Sequence, residues 1–240
     1  MRKWIGRLLA VFVVLAVLGG VAGRYLWEAY VVEAPGDHLD EANILALIAQ
    51  ESPVTYRDGE TNIGVFFADE HRVYVQYEDI PQDWVHGIVS AEDQRYFEHP
   101  GVDFKGFTRA MIQNAKAGKV VSGGSTLTMQ TSENLFHPGT RDLEGKYWEI
   151  LDAFRLEQHY SKEDILEFYA NQFHVYGNGR GLGIAARYFF DKDVSEVTLQ
   201  ESAFLAGLVK IPGRYNPFIG ATEEAREQAA QKAVTRTNYV

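Results

Sequence analysis

An uncharged run near the start of the chain limits how this protein can fold. The run extends from Leu8 to Gly23, and the cations Arg2, Lys3 and Arg7 precede it. As a helix it would span ~24 Å, against ~30 Å for the hydrocarbon core of a bilayer, and flanking arginines can snorkel to make up the difference. We expect a membrane anchor over residues 1–27, with a cytoplasmic N-terminus and the remaining chain on the outer face.

Two alternatives to an anchor remain open at this point. A cleaved signal peptide is compatible with the small residues of the segment 20–23. A buried core helix is disfavoured, because polar positions usually interrupt such a helix.

Amino-acid composition limits the kinds of fold and function that the rest of the chain can have. Of 240 residues 46% are apolar and none is cysteine, so a packed core can form without disulfides or thiolate zinc sites. The formal net charge of −10 argues against a general nucleic-acid binder.

Local patterns divide the remaining chain into three parts. Residues 28–79 are predicted to form a stalk with a small β element, because Asp58-Gly59 is a turn signal and Arg72–Tyr77 alternates polar and apolar side chains. Residues 80–220 are predicted to form a mostly helical domain. Residues 221–240 are predicted to form a helix, after which either the domain ends or a longer chain continues.

Periodicity places several polar residues on helices. An apolar stripe of Trp84, Val85, Ile88 and Val89 leads into Glu92. A second amphipathic helix is predicted from Leu143, Tyr147, Ile150, Leu151 and Phe154. On its helical wheel Glu149 lies about 150° from the apolar stripe, which directs it towards solvent or a cleft.

Shorter signals set the boundaries of the later helices. Ser161–Asp164 and Thr198–Glu201 have the pattern of capping boxes. The glycines of Gly177–Gly181 predict a loop.

Two segments carry groups suited to catalysis. Residues 92–103 bring together four carboxylates, His99 and an arginine, and a carboxylate beside apolar surface can act as a general base. The local alternative is a solvated turn with salt bridges and a structural histidine. Residues 122–130 open a helix with glycines and hydroxyls, which suits either a phosphate or an ordinary serine cap.

In their order and spacing these segments resemble the peptidoglycan glycosyltransferase domain (glycosyltransferase family 51), which monofunctional biosynthetic transglycosylases and class A penicillin-binding proteins share. The resemblance covers about Ile80 to Pro217. The matching blocks are EDQRYFEHPGVD (92–103), GGSTLTMQ (123–130), KYWE (146–149), SKEDILEFYANQ (161–172) and GRGLGIAARYFF (179–190). It implies a mainly α, lysozyme-like helical fold with a small β element and an N-terminal transmembrane helix.

The resemblance also implies a reaction, in which lipid II is polymerised into β-1,4 glycan strands with inversion and release of undecaprenyl pyrophosphate. Glu92 falls at the family's general base, and Glu149 at the glutamate that assists near the pyrophosphate. Substrate-binding positions fall on Asp93, His99, Arg109, Ser125, Thr126, Gln130, Arg141 and Lys146. The cofactor implied is Mg²⁺ or another divalent cation, which would bridge Glu149 and the pyrophosphate and which not every family member requires.

Several positions depart from the family pattern, among them Tyr96-Phe97, where the usual aromatic order is swapped. Glu133 falls where the family usually carries a lysine that contacts the donor, which reverses the charge there. Gly145 replaces an arginine, and Met129 replaces the first of two glutamines.

These departures keep a second function class open, a membrane-anchored scaffold of the same fold that binds lipid II or cell-wall synthesis partners with weakened or absent catalysis. A glycan-cleaving, lysozyme-like enzyme is a third class, which is disfavoured because cleavage does not need basic groups for a pyrophosphate. The partners implied are lipid II, the nascent glycan, the bacterial cytoplasmic (inner) membrane and other cell-wall synthesis proteins, without nucleic acid.

Overall fold

The chain begins with a long helix that stands clear of the body. The computed structural model describes residues 2–49, 51–55, 62–67, 71–119, 123–140, 142–177 and 179–240. Helix α1, Arg2–Trp27, continues into a π-helical segment, Glu28–Glu33. The side chains of residues 12–28 are exposed, so the core-helix alternative is wrong. Within the described residues, Phe12–Glu33 is long and apolar enough to cross a membrane, a test that both an anchor and a signal sequence satisfy.

The segment after α1 packs onto the body. Helix α2, Glu41–Ile48, buries Ile44 and Ile48 in the main core. The backbone carbonyl of Tyr30 accepts a hydrogen bond of 2.9 Å from Arg155 Nε. Residues predicted to form a stalk therefore lie against the helical domain.

Two small sheets follow the packed segment. Strands β1, Glu51–Thr55, and β2, Asn62–Phe67, pair antiparallel, and the turn predicted at Asp58-Gly59 lies outside the described residues. In the second sheet β5 lies between two partners, pairing parallel with β3 and antiparallel with β4. These three strands are β3, His71–Arg72, β4, His174–Tyr176, and β5, Gly179–Arg180.

Two predictions about these segments are wrong. Arg72–Tyr77 is a strand only at its first residue, because the side chain of Asn171 takes the place of a neighbouring strand. Its amide oxygen accepts from Val75 N at 2.9 Å, and its amide nitrogen donates to Val75 O at 2.8 Å. The predicted loop of residues 177–181 contains β5, whose pairing with β3 no local signal reveals.

Helices form the rest of the body. Helix α3, whose apolar stripe was predicted, buries Trp84, Val85 and Ile88, and both predicted capping boxes are present. The elements are α3 Gln82–Glu92, α4 Phe104–Ala117, α5 Leu127–Phe136, α6 Leu143–His159, α7 Lys162–Ala170, α8 Gly181–Phe190, α9 Leu199–Leu208, α10 Pro212–Tyr215 and α11 Glu223–Thr237. The mainly α architecture with a small β element agrees with the predicted fold class.

The predicted apolar face of α6 is only partly buried, because Ile150 and Phe154 pack against a small core cluster whereas its first two members are exposed. Leu143 is 91% exposed and Tyr147 is 59% exposed. The buried face instead carries Glu149 and Asp152, together with small residues and Leu156. Buried polar groups are tolerated when their hydrogen bonds are made, and Asp152 receives such bonds from Arg155 and from His137 at 2.8 Å each.

Candidate active site

The candidate base lies where α3 ends. The apolar side of this helix packs into the core, mainly against α9, which leaves Glu92 at the edge of the buried surface. Its side chain is mostly buried, and its Oε1 accepts a hydrogen bond of 2.6 Å from Arg236 Nη2 of α11. A carboxylate at the edge of an apolar core is suited to accept a proton once that oxygen is available.

The next residue, Asp93, joins the two segments that the sequence singled out. Its Oδ2 accepts from His99 Nε2 at 2.9 Å and from the backbone nitrogen of Leu127 at 3.0 Å. The hydroxyl of Thr126 caps α5 and donates to the carbonyl of Gly101 at 2.5 Å. The loop after Glu92 is therefore fixed to the start of α5.

Gly101 allows this loop to approach α6. Its φ is +95°, in a region that favours glycine, and a Cβ there would lie 2.7 Å from the carbonyl oxygen of Ala153. Arg95 and Asp103 close the loop with an ion pair. The geometry leaves no room for a side chain at Gly101.

A cavity of about 320 Å³ lies between the end of α3, helix α4 and the segment before α5. Five predicted site residues line it, namely Glu92, Asp93, Arg109, Ser125 and Thr126. Two carboxylates, a guanidinium and two hydroxyls therefore line one space.

Lys146 connects this cavity to the second candidate glutamate. Its ammonium donates to Ser125 Oγ at 2.8 Å and to Glu149 Oε1 at 2.6 Å. Glu149 is only 4% exposed, so it faces neither solvent nor an open cleft. Burial raises the pKa of the Glu149 carboxyl, the hydrogen bond from Lys146 opposes this shift, and the charge of Glu133 adds to it.

The remaining predicted residues lie around these groups. His99 is buried beside Asp93, and Gln130 Oε1 accepts from the Tyr169 hydroxyl at 3.3 Å. Arg141 lies outside the described residues. Contact of these side chains with substrate stays a prediction.

The surroundings of Glu149 test the implied divalent cation. Among the residues that the structure describes, no three His, Asp or Glu side chains come together as metal ligands. Glu149 Oε1 already binds the Lys146 ammonium, whose charge repels a cation. These residues, as arranged, do not fit Mg²⁺.

Sequence reasoning missed the contribution of the end of the chain to the site. Arg236 bonds to Glu92, and Tyr239 lines the same cavity as Glu92. Both lie in the segment 221–240, for which only a helix was predicted. Arg236 lies 144 residues from Glu92 in the chain, and no local pattern around it indicates this contact.

Comparison with known proteins shows the family of this chain. The family model described as Transglycosylase matches residues 59–239. Penicillin-binding protein 1A of Pseudomonas aeruginosa is 32% identical over 218 residues, which cover 91% of this chain and 26% of that protein. The Neisseria flavescens protein of the same name is 36% identical over 177 residues, covering 74% of this chain and 22% of that protein.

A third relative has the same name and a similar degree of identity. Penicillin-binding protein 1A of Neisseria cinerea is 40% identical over 162 residues, which cover 68% of this chain and 20% of that protein. The chain thus spans about a quarter or less of the length of these relatives. Since the family model covers well over half of the sequence, the chain belongs to the transglycosylase family.

Proposed function

We propose that this chain is a peptidoglycan glycosyltransferase that polymerises lipid II into β-1,4 glycan strands. The proposal rests on one observation: Glu92, Arg109 and Ser125 line the same cavity, and Lys146 is hydrogen-bonded to Ser125. A base for a sugar hydroxyl and cations for a departing pyrophosphate are the two groups that this reaction requires.

The proposed step moves one proton and exchanges one bond. The 4-hydroxyl oxygen of the acceptor sugar attacks the anomeric carbon of the lipid-linked donor chain, and its proton passes to Glu92. The bond between that carbon and the pyrophosphate oxygen breaks, and its electron pair leaves with undecaprenyl pyrophosphate. Attack opposite to the leaving group inverts the configuration and gives the β-1,4 linkage.

Positive charge supports the leaving group in this scheme. Arg109 lines the cavity, and the Lys146 ammonium lies between Ser125 and Glu149. Fixed cations stabilise negative charge that develops in a partly buried site. Glu149 would hold the lysine in place, because its carboxylate is buried beside the ammonium.

A weakened or inactive scaffold is the second candidate, and two observations favour it. The negative charge of Glu133 repels that of Glu149 and raises the Glu149 pKa, whereas a lysine at position 133 would assist donor binding. A Cβ at Gly145 would lie 2.4 Å from Thr140 Cγ2, so the turn before α6 occupies the place of a larger side chain.

Polymerisation of labelled lipid II by the full chain in detergent tests the proposal. We expect polymer from the wild type and from Glu98→Gln, whose carboxylate is exposed on the same loop. Glu92→Gln should lose at least about 100-fold in rate, the usual contribution of a general base. Circular dichroism confirms that both variants are folded.

Three outcomes distinguish the candidates. Polymer at an equal rate from Glu92→Gln would refute the assignment of the base. Binding of lipid II without turnover by the wild type would identify the scaffold. Fragments released from finished glycan would instead identify a hydrolase.

The cellular context is part of the same proposal. We expect α1 to remain attached as a single-pass anchor in the bacterial cytoplasmic membrane, with the N-terminus cytoplasmic and the cavity on the outer face. Protease added outside spheroplasts should digest the body but leave an N-terminal tag intact. Digestion of the tag would show that the N-terminus lies on the outer face, opposite to the proposed orientation. Other cell-wall synthesis proteins are the expected partners.

A further inference from the structure

A second cavity of about 570 Å³ lies between α10 and α11, beside the candidate base. The described residues that line it include the cations Arg214, Lys232 and Arg236 and no carboxylate side chain. The whole chain carries a net charge of −10, so a cavity with three cations is a local reversal of sign. Such a reversal concentrates anions at the cavity.

Two residues connect this cavity to the first. Tyr239 lines both cavities, and Arg236 lines the second while it bonds to Glu92 in the first. The Arg236 guanidinium lies over the Tyr239 ring at 5.0 Å and reaches the Gly207 carbonyl through Nε at 3.4 Å. One guanidinium therefore lies between the base and the basic cavity.

We propose that the second cavity binds a phosphate or pyrophosphate group, and that this anion draws Arg236 away from Glu92 and so frees the base. The inference rests on the proposed function for its substrate, since the acceptor lipid II carries such a group. Arg214 and Lys232 would hold the anion from the far side of the cavity.

The proposed release of Glu92 depends on competition between its carboxylate and the bound anion for the Arg236 guanidinium. In the unliganded protein Glu92 Oε1 accepts from Arg236 at 2.6 Å, so the guanidinium occupies one of the positions from which a hydroxyl would approach the carboxylate. A guanidinium binds phosphate oxygens through two parallel hydrogen bonds, a geometry that competes well with its single short bond to the carboxylate. The carboxylate of Glu92 would then be more open to a hydroxyl when an acceptor is bound.

Coupling of this kind is reciprocal. If the anion weakens the Glu92–Arg236 pair, then removal of the charge on Glu92 must strengthen anion binding in the second cavity. A permanent ion pair that only orients Glu92 predicts only the smaller Coulomb effect of removing one nearby negative charge. The two possibilities therefore differ in a binding measurement that needs no turnover.

A cysteine placed in the second cavity can report anion binding there without a signal from anions bound elsewhere. The chain contains no cysteine, so Gln228→Cys in the cavity wall provides a unique and exposed thiol. The measurement is the rate at which a maleimide alkylates this thiol in the full detergent-solubilised chain, as inorganic pyrophosphate is added. Pyrophosphate at the donor cations would not protect a thiol in this cavity.

We expect pyrophosphate to slow alkylation in the reporter protein. Adding Glu92→Gln should lower the half-protecting concentration about fivefold or more, and Lys232→Gln should raise it by a similar factor. Arg226→Gln removes an exposed cation from the same helix, outside the cavity lining, and should change nothing.

Two results would overturn the inference. Equal half-protecting concentrations with and without Glu92→Gln would show that Arg236 does not switch. Equal effects of Lys232→Gln and Arg226→Gln would show that the cavity is not an anion site. Neither result depends on polymer formation, so failure here is distinct from failure of the proposed function.

The source of the anion is tested with two lipids in the Glu92→Gln reporter, in which turnover of lipid II should be at least about 100-fold slower. Protection by lipid II well below the concentration needed for phosphatidylglycerol supports an acceptor site. Equal protection by both would assign the cavity to membrane headgroups and overturn the link to the acceptor.

Discussion

Removing the ammonium of Lys146 should destabilise the protein through Glu149. Lys146→Met leaves a carboxylate that is 4% exposed without the cation 2.6 Å away. Breaking a fully buried ion pair costs about 3–5 kcal/mol, whereas an exposed pair contributes at most about 1 kcal/mol. Because the Lys146 side chain is 43% exposed, we expect a loss of about 1–3 kcal/mol at neutral pH.

The size of this loss should depend on pH in one direction. Burial raises the folded-state pKa of Glu149 above its ordinary value of 4.5. Its contribution to stability is therefore complete below that ordinary value and is lost as pH rises through the raised pKa. Loss of Lys146 raises the folded-state pKa further, so the gap between wild type and variant should be small in acid and grow with pH.

Thermal unfolding followed by tryptophan fluorescence can measure the gap. About 1–3 kcal/mol corresponds to a shift in Tm of about 3–9 °C for a chain of this size. The exposed Lys210→Met serves as the control, and Lys146→Met combined with Glu149→Gln should recover most of the loss. A loss that is independent of pH, or that Glu149→Gln does not relieve, would refute the reasoning.

Three further changes test other contacts. Asn171→Leu removes both side-chain partners of the Val75 backbone and should cost about 2–4 kcal/mol in chemical denaturation; a cost below about 1 kcal/mol would contradict this. Gly101→Ala meets the carbonyl of Ala153 at a positive φ and should cost about 2–4 kcal/mol, and an unchanged denaturation midpoint would show that the loop adapts. Glu133→Lys should raise affinity for a pyrophosphate-bearing donor about fivefold in direct binding, and unchanged or weaker binding would place Glu133 outside the donor site.

Local chemistry predicted much of the helical body. The stripe of Trp84, Val85 and Ile88 is buried as its spacing indicates, and both capping boxes begin helices at Ser161 and Thr198. Each of these signals is contained within one or two turns of helix. Features of that range need no knowledge of distant neighbours.

Features that depend on distant partners were not predicted correctly. Val75 has a strand-like sequence, but its backbone bonds to Asn171, 96 residues away. On α6 the helical wheel identifies an apolar side that is exposed at Leu143 and Tyr147, because hydrogen bonds from Arg155 and His137 allow Asp152 to be buried instead. A wheel takes account of residue type but not of hydrogen-bond partners.

In the candidate site, too, the sequence predicted which residues come together but not the distant hydrogen bonds that they make. This affects how mutations in the site should be interpreted. The ordered blocks predicted that Glu92 and Ser125 serve one site, and both line one cavity. Asp93 and Thr126 were predicted to bind substrate, yet they also bond to Leu127 N at 3.0 Å and to Gly101 O at 2.5 Å.

A loss of activity at either position therefore has two physical causes, a lost substrate contact or a displaced Glu92. The variant Thr126→Ser first tests whether the hydroxyl is the group that matters, because serine keeps the hydroxyl that caps α5 and reaches Gly101. If Thr126 acts through its hydroxyl, Thr126→Ser should retain activity that Thr126→Val loses. Lipid II binding by Thr126→Val then decides between the causes. Weakened binding indicates a substrate contact, whereas unchanged binding with slow turnover indicates that the loop carrying Glu92 has moved.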